Sequence, residues 1–415
     1  MKSLRVAIKT TTIFLFLLSI FAFGSMIYVN KTVSDYYCVN TGEALNINSA
    51  VPVRVSYTVK EDAQAGKNAT SGSTFKMDLK VLGVIPVKKI SVRVVDENYV
   101  AVLGTPFGIK IYTEGVLVVD FTDVDTENGS VNPARDAGLE KGDFIVSLNG
   151  VKVYTNEEVS RIISNSQGET IAAKIMRNGK EMILSIKPAA EKGGPYRAGV
   201  WVKDSSAGIG TMTFYCPRYN VAAGLGHGIC DSDTGTLLSL GSGELVSANI
   251  VSYVKGKSGQ AGELKGAFTG KKIADLQLNS EQGVYGNVTC DINMENMFPL
   301  ALKQEVRNAK GYILTCIDGS TPEYYSCNIK VRNQDKTQNL LVEITDERLL
   351  STTGGILQGM SGSPIIQNGK LIGAVTHVLV DDPTRGYGIF AENMLETAQS
   401  VGQGLAPADK LKDAS

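Results

Sequence analysis

Short apolar runs separated by glycine turns fill the chain from about residue 195 to residue 400. Strands need only a few residues, whereas helices need longer runs with apolar positions every three or four residues, and this stretch has few such runs. The 44 glycines of the chain supply the turns that such an architecture needs. The pattern predicts an all-β domain, a sandwich or barrel, that begins after the breaker cluster Lys192-Gly193-Gly194-Pro195.

The N-terminus carries a targeting segment, in which three basic residues, Lys2, Arg5 and Lys9, precede an apolar run from Ile13 to Val29. A run of roughly 17 residues is near the lower limit for crossing a bilayer. The basic flank predicts that the N-terminus stays in the cytoplasm and that the rest of the chain is exported.

A cleaved signal peptide is the alternative to an uncleaved anchor, because Ala22, Gly24 and Ser25 are small enough for a cleavage site. We favour the anchor. Either interpretation places residues 31–415 outside the cytoplasmic membrane.

Length and composition limit the function classes. The 415 residues suggest two or three domains, and a net charge of -1 gives no reason to expect a nucleic-acid partner. The six cysteines include no CxxC pair, so no zinc ribbon or redox motif is predicted. We expect neither a metal nor a cofactor.

Residues 31–99 are predicted to be a linker followed by a small β-rich region. Residues 30–50 are polar and lack periodicity. Strand-like patterns follow at Val51–Val59, Phe75–Val81 and Lys88–Val95, with a polar loop at Glu61–Gly72.

Residues 100–189 form a second predicted unit, with two glycine-containing motifs at Asn132–Leu139 and Lys141–Gly150. A helix is expected over Asn156–Ser164, because Thr155 and Glu158 have the spacing of a capping box. Asn178-Gly179 predicts a tight hairpin turn.

These motifs resemble a PDZ domain in the circularly permuted form found in bacterial proteases. The resemblance implies that the loop Phe107-Gly108-Ile109 receives a peptide terminus, with backbone N–H groups binding its carboxylate. It also implies a protein substrate, or this protein's own N-terminal region, as the occupant.

The candidate catalytic nucleophile is a serine in a glycine-rich string. This string, Gly359-Met360-Ser361-Gly362-Ser363-Pro364, lies between apolar strands. Small neighbours let a substrate carbonyl approach, and the N–H groups of Gly359 and Ser361 are candidates for stabilising an oxyanion. The string resembles Gly-Asp-Ser-Gly-Gly-Pro of chymotrypsin-like peptidases, with Ser361 at the nucleophile position and Ser363 where a glycine would stand. It precedes a strand, which argues against an α/β-hydrolase.

A nucleophilic serine needs a base, and the chain has two histidines. His227 lies in a loop of small residues and is the better candidate, whereas His377 lies in a predicted strand, where a structural role is the simpler interpretation. Asp346 precedes Ser361 by fifteen residues and keeps the chain order His, Asp, Ser. Asp231 and Asp233 are rivals near His227.

Together these features closely resemble the stage IV sporulation serine peptidase B family, of the chymotrypsin-like clan. The densest similarity runs from Thr353 to Lys370 and continues through His377 to Gly388. The resemblance implies His227 as base, Ser361 as nucleophile and Asp346 as the orienting acid. The family usually has Gly-His-Pro-Ile-Ser-Asp at the histidine, where this chain has Gly226-His227-Gly228-Ile229-Cys230-Asp231.

The predicted architecture is therefore mainly β, with a membrane segment (1–30), the linker and β-rich region (31–99), a circularly permuted PDZ domain (100–189), a chymotrypsin-like double β-barrel (195–400) and a disordered tail (401–415). The resemblance implies self-processing and cleavage of the extracytoplasmic part of a regulator of an intramembrane metalloprotease. It also implies that this cleavage takes place in the space between the two forespore membranes and leads to the release of a late sigma factor in the mother cell. The alternative is a catalytically inactive, membrane-tethered PDZ scaffold.

The cysteines leave two interpretations open. Cys216 and Cys230 flank His227 and could form a disulfide across the histidine loop, and Cys316 and Cys327 could close a second loop. Free thiols in β-cores are favoured, because the spacing shows no disulfide framework.

Overall fold

The computed structural model describes residues 2–43, 45, 47, 49, 51–57, 70–332 and 337–405. The chain divides into two compact units, Met1–Tyr99 with Pro299–Val306, and Val100–Phe298 with Arg307–Ser415. Most of the predicted loop at Glu61–Gly72 and the tail from residue 406 lie outside the described residues.

The first unit begins with helix α1 (Lys2–Thr32), whose segment Thr11–Thr32 is long and apolar enough to cross a membrane, with a mean hydropathy of 2.2. A four-stranded sheet follows, in the order β1-β4-β3-β2. Its strands are β1 (Tyr36–Asn40), β2 (Val53–Tyr57), β3 (Thr74–Val81) and β4 (Ile85–Val95), and a short 3-10 helix covers Lys303–Glu305. Strand β1 pairs in parallel with β4 at residues where the sequence predicted only a linker, because pairing partners 55 residues away leave no local signal.

The second unit contains a PDZ-like region and two β-barrels. The elements of its N-terminal half are β5 (Tyr99–Val102), β6 (Pro106–Phe121), β7 (Val124–Thr126), β8 (Gly129–Val131), α2 (Pro133–Asp136), β9 (Phe144–Leu148), β10 (Val151–Lys152), α3 (Asn156–Ser164), β11 (Ile171–Arg177), β12 (Lys180–Ile186), β13 (Ala189–Ala190) and β14 (Tyr196–Arg197). The next strands are β15 (Val200–Cys216), β16 (Val221–Gly224), β17 (Leu240–Val254), β18 (Glu263–Ser280), β19 (Gly283–Val288) and β20 (Met297–Pro299).

The first barrel is a closed ring of six strands, β6-β17-β18-β19-β16-β15, completed by pairing of β15 with β6. Phe107, Met212, Leu225 and Leu245 are among the buried side chains that fill it. The ring forms part of a twelve-stranded sheet that continues through β9, β11 and β12 on one side and through β5 and β20 on the other.

The second barrel is also closed, in the order β21-β22-β23-β26-β25-β24. Its elements are β21 (Ala309–Thr315), β22 (Glu323–Val331), β23 (Leu340–Ile344), α4 (Glu347–Thr353), β24 (Pro364–Gln367), β25 (Lys370–Val378), β26 (Arg385–Phe390) and α5 (Ala391–Gly402). Two barrels and a mainly β chain confirm the predicted fold class.

The PDZ-like region has the local structure that its motifs predicted. Helix α3 spans the predicted residues and begins with a capping box between Thr155 and Glu158. Asn178 and Gly179, which connect β11 to β12, have positive φ angles of 50° and 73°, as a tight hairpin requires.

Strands β6 and β15 belong to both the PDZ-like region and the first barrel. Residues 106–112 of β6 pair with β15 and β17 inside the barrel, whereas residues 117–121 pair with the start of β15. Gly115, with a φ of 86°, lies at the bend, where an added Cβ would be 2.7 Å from the carbonyl oxygen of Ile145. The boundary predicted at residues 189–195 stays a prediction; the chain forms only the short strands β13 and β14 there, and the long strand β15 begins after it at Val200.

Candidate active site

The predicted nucleophile lies in a loop between α4 and β24, and residues 358–362 are called here the serine loop. Ser361 is partly exposed, and its Oγ donates a 2.5 Å hydrogen bond to the carbonyl oxygen of Thr376 on β25. Gly362 cannot carry a side chain, because an added Cβ would lie 1.8 Å from the carbonyl oxygen of Thr211. Gly362 is therefore required by close packing against β15.

Two backbone N–H groups of the serine loop remain available. Within the described ranges, the N–H groups of Gly359 and Ser361 donate no hydrogen bond, whereas those of Met360 and Gly362 bond to Leu357 and Val375. Groups left free in this way suit the stabilisation of a developing oxyanion beside Ser361.

Ser363 has a structural environment. It is fully buried, and its Oγ donates to the carbonyl oxygen of Met360 at 2.6 Å and accepts from Thr315 Oγ1 at 2.9 Å. A hydroxyl held by two partners and shielded from solvent cannot meet a substrate carbonyl, so Ser361 is the better nucleophile.

His227 lies in the turn between β16 and β17, and residues 225–228 are called here the histidine loop. Leu225 and Gly226 both have positive φ angles, 64° and 68°. Such a conformation costs about 1–3 kcal/mol at a non-glycine residue and is held by the surrounding structure. Here Leu225 is buried, and its N–H donates to Thr211, whose own N–H donates to Ser361. Thr211 thus ties the histidine loop to the serine loop.

The imidazole of His227 is oriented by a backbone carbonyl. Its Nδ1 lies 2.8 Å from the carbonyl oxygen of Gly228. Because a carbonyl oxygen only accepts hydrogen bonds, Nδ1 carries the proton and Nε2 keeps a free lone pair. That tautomer is the one a general base needs.

Burial, together with His377, lowers the pKa of His227 to about 4, and the bond to Gly228 opposes this shift. The ring centroids of the two histidines are 4.5 Å apart. His227 is therefore neutral, and able to accept a proton, throughout the neutral pH range.

His377 was expected to have a structural role in its strand, and the structure places it against the candidate base instead. It extends from the exposed end of β25, directly after Thr376, and burial of its ring lowers its own pKa. No local pattern in the chain indicates this contact, because the two histidines belong to different barrels.

Asp346 does not occupy the orienting position that was predicted for it. Its carboxylate caps α4 by accepting from the N–H of Arg348, accepts from the Arg348 guanidinium at 3.1 Å and accepts from the N–H of Ser326. Hydrogen bonding by Arg348 keeps the pKa of Asp346 below its usual range, although burial acts in the opposite direction. The Nδ1 of His227, which an orienting acid would hold, bonds to the carbonyl of Gly228, and no carboxylate of the described residues is hydrogen-bonded to this imidazole. The predicted assignment is therefore corrected: Asp346 is an N-cap.

The two rival acids are also engaged elsewhere. Asp231 accepts from the N–H groups of Asp233 and Thr234. The ammonium group of Lys203 forms ion pairs with the carboxylates of Asp231 and Asp233. Asp231 therefore organises its own turn. Within the part of the chain that the structure describes, no group of three His, Cys, Asp or Glu side chains could hold a metal ion.

The predicted peptide-receiving loop, Phe107-Gly108-Ile109, is a strand interior. These residues pair with β15 on one edge and with β17 on the other, and Phe107 is fully buried in the first barrel. With both edges paired, they have no room for a peptide, so that prediction is wrong.

The six cysteines carry free thiols.

A different groove in the PDZ-like region is open. It lies between α3 and the first residues of β15, which pair only with β6 among the described strands. Its lining residues are Asn156, Glu157, Ser160, Arg161, Ser164, Val200, Trp201 and Val202.

Comparison with known sequence families gives two matches. The profile of the SpoIVB peptidase S55 family matches residues 194–395, and that of the PDZ domain matches residues 89–187. The first match includes both loops of the candidate site.

Curated relatives match shorter segments. A probable periplasmic serine endoprotease DegP-like of Marinomonas sp. is 25% identical over 208 residues, which is 42% of each chain. The serine protease Do-like HtrA of Bacillus subtilis is 33% identical over 105 residues, 25% of this chain and 22% of the relative. A putative zinc metalloprotease of Mesorhizobium japonicum is 40% identical over 57 residues, 14% of this chain and 16% of the relative. The chain thus spans less than half the length of each of these relatives.

Among solved structures, the PDZ domain of the SdrC-like protein from Listeria monocytogenes matches 22% of this chain and 90% of its own length. Its sequence identity is 27%, and the TM-score is 0.18.

Proposed function

We propose that the chain is a serine endopeptidase of the SpoIVB peptidase S55 family, whose profile matches residues 194–395, and that it acts outside the cytoplasmic membrane. The observation that carries the proposal is the pair of free N–H groups beside Ser361, in a loop tied through Thr211 to a neutral His227. These are the parts that acyl transfer needs.

In the proposed reaction, Nε2 of His227 takes the Ser361 proton while Oγ forms a bond to the substrate carbonyl carbon. The N–H groups of Gly359 and Ser361 stabilise the negative charge on the carbonyl oxygen. The C–N bond then breaks, and His227 returns the proton to the leaving amine. Water hydrolyses the acyl-enzyme by the same steps in reverse order. In this arrangement the carbonyl of Gly228, in place of a carboxylate, orients the imidazole.

We further propose that the substrate is a membrane-protein regulator of an intramembrane metalloprotease, together with the protein's own N-terminal region, in sporulation signalling that releases a late sigma factor. The family resemblance supports this substrate, and the apolar helix Thr11–Thr32 supports a site of action at the membrane surface. The location between the forespore membranes rests on the same resemblance.

The groove between α3 and β15 is the proposed place for a peptide terminus. The unpaired edge of residues 200–203 offers backbone hydrogen bonds to an added strand. Arg161 at the groove supplies a positive charge for a terminal carboxylate.

Labelling with a fluorophosphonate tests the proposed chemistry. The full chain in detergent should be labelled, and Ser361→Ala should abolish both labelling and self-cleavage, while Ser363→Ala, as the matched serine control, should keep the label. An unlabelled wild-type protein would instead support the inactive PDZ scaffold. A label retained by Ser361→Ala would move the nucleophile elsewhere.

A further inference from the structure

Five consecutive carbonyl groups of the serine loop accept hydrogen bonds. The carbonyl of Gln358 accepts from the N–H of Leu264 at 2.8 Å, and that of Met360 accepts from Ser363. The other three bond to strand β15: Gly359 accepts from Thr211 Oγ1 at 2.9 Å, Ser361 from the Thr211 N–H at 2.9 Å, and Gly362 from Thr213 Oγ1 at 2.7 Å.

The serine loop needs such bonds because its own residues do not fix its conformation. Gly359 and Gly362 have φ angles of 95° and 97°. Glycine adopts positive and negative φ almost equally readily, so the peptide groups beside these residues could rotate at little steric cost. The observed arrangement must therefore be imposed by neighbouring groups.

The two threonines are well placed to impose it. Thr211 and Thr213 are two residues apart on β15 and point to the same side of the strand, whereas Met212 between them packs into the core of the first barrel. Both threonines are almost completely buried, with 2% and 0% exposure. Their hydroxyl groups thus extend from the first barrel to the loop that precedes β24 of the second.

We propose that Thr211 and Thr213 are positioning residues that hold the serine loop in its oxyanion-stabilising conformation. The inference rests on the proposed function of Ser361. In a trans peptide the C=O and the following N–H point in opposite directions. The bonds from Leu264 and Ser363 therefore aim the N–H groups of Gly359 and Ser361 away from these two partners. Thr211 bonds to the carbonyl of Gly359 and so fixes the peptide group between Gly359 and Met360. This peptide group lies between the two N–H groups, and fixing it prevents either N–H group from turning.

The test compares Thr211→Val, Thr211→Ser and Thr113→Val in the full chain. Valine keeps the shape of threonine but removes the hydroxyl, and serine restores it. Thr113 is the matched control, since it is also buried on a strand of the first barrel and donates to a carbonyl, that of Gly115, at 2.7 Å. The readouts are the maximal labelling rate of Ser361 by a fluorophosphonate and the probe concentration at half that rate.

We expect Thr211→Val to lower the maximal labelling rate about tenfold, less than the roughly 10²-fold or greater loss that follows removal of an oxyanion donor itself. The half-saturating concentration should stay unchanged, because the defect is in the reacting geometry. Thr211→Ser and Thr113→Val should label within about threefold of the wild type, and Thr213→Val should resemble Thr211→Val.

Equal rates for Thr211→Val and Thr113→Val would overturn the proposal, as would equal losses in Thr211→Val and Thr211→Ser. Thermal unfolding shows whether Thr211→Val folds. If it does not, the labelling rate of Thr213→Val is compared with that of Thr113→Val instead, and equal rates would likewise overturn the proposal. Failure of the wild type to label at all is a different result, which removes the proposed nucleophile.

Discussion

The two loops of the candidate site keep their shapes by different means. The serine loop is built from glycines and is held from outside, by five carbonyl hydrogen bonds, three of them to β15. The histidine loop contains a buried residue with an unfavourable backbone angle, Leu225, and is held by packing and by one bond to Thr211. The flexible serine loop is therefore held by many hydrogen bonds, whereas the strained histidine loop is held mainly by the burial of Leu225. Thr211 is common to both loops.

The histidine loop carries the largest expected effect on activity. Replacing His227 by Ala should lower the labelling rate of Ser361 by about 10⁶-fold, as the loss of the base does in other serine peptidases. The rate of fluorophosphonate labelling at pH 7.5 measures it. Cys230→Ala, a change three residues along the chain, should label like the wild type. A loss smaller than tenfold for His227→Ala would mean that another group takes the proton.

The serine loop should be the more sensitive of the two to added volume. Gly362→Ala places a Cβ 1.8 Å from the Thr211 carbonyl oxygen in a backbone of φ 97°, and should cost about 2–5 kcal/mol of unfolding free energy. Gly369→Ala is the control, because its φ of 74° is also positive but no atom lies within 4 Å of the added Cβ. Urea unfolding compares the two variants, and equal stability loss would show that the tight contact does not exist.

Asp346→Ala separates a capping residue from a catalytic one. As the N-cap of α4, Asp346 should contribute about 1 kcal/mol to stability, and its loss should change the labelling rate by no more than about threefold. An orienting acid of a triad would instead cost about 10⁴-fold in rate. Measuring labelling and urea unfolding on the same preparation distinguishes the roles. A 10⁴-fold loss of rate would restore the assignment that the family resemblance implies.

The smallest expected effect at neutral pH concerns His377. Because burial and His377 hold the pKa of His227 near 4, the acid limb of the labelling profile should lie well below pH 6. His377→Ala opens the site to water and removes a like charge, so this limb should move upward toward pH 6.5. His377→Phe keeps a ring in place and should move it less. A limb that does not move in either variant would mean that His377 has no influence on the base.

The lowered pKa of His227 also predicts how the stability of the fold depends on pH. The unfolded chain binds a proton at His227 below about pH 6.5, whereas the folded chain does so only near pH 4. The contribution of His227 to folding is therefore lost as the pH falls from 6.5 to 4. In His227→Gln the urea midpoint should fall less steeply over this interval than in the wild type.

Local patterns predicted the parts of this protein that depend on neighbouring residues. The capping box at Thr155, the turn at Asn178-Gly179 and the glycine string around Ser361 each depend on a few adjacent residues, whose conformational preferences act at short range. Ser361 and His227 could be proposed from the sequence, because the string Gly359–Pro364 resembles the nucleophile motif of serine peptidases and the chain has two histidines from which to choose a base. The apolar run at the N-terminus could be predicted as a membrane segment from its length alone.

Only the tertiary structure decided what depends on strand pairing across the chain. Phe107-Gly108-Ile109 is a barrel strand because β15 and β17, more than 90 residues later, pair with both of its edges. His227 faces His377 because the two barrels fix those neighbours, and chain order does not encode a distance. The positions of Thr211 and Thr213 follow from the same cause, since a threonine in a strand has no local feature that reveals which carbonyl it will meet.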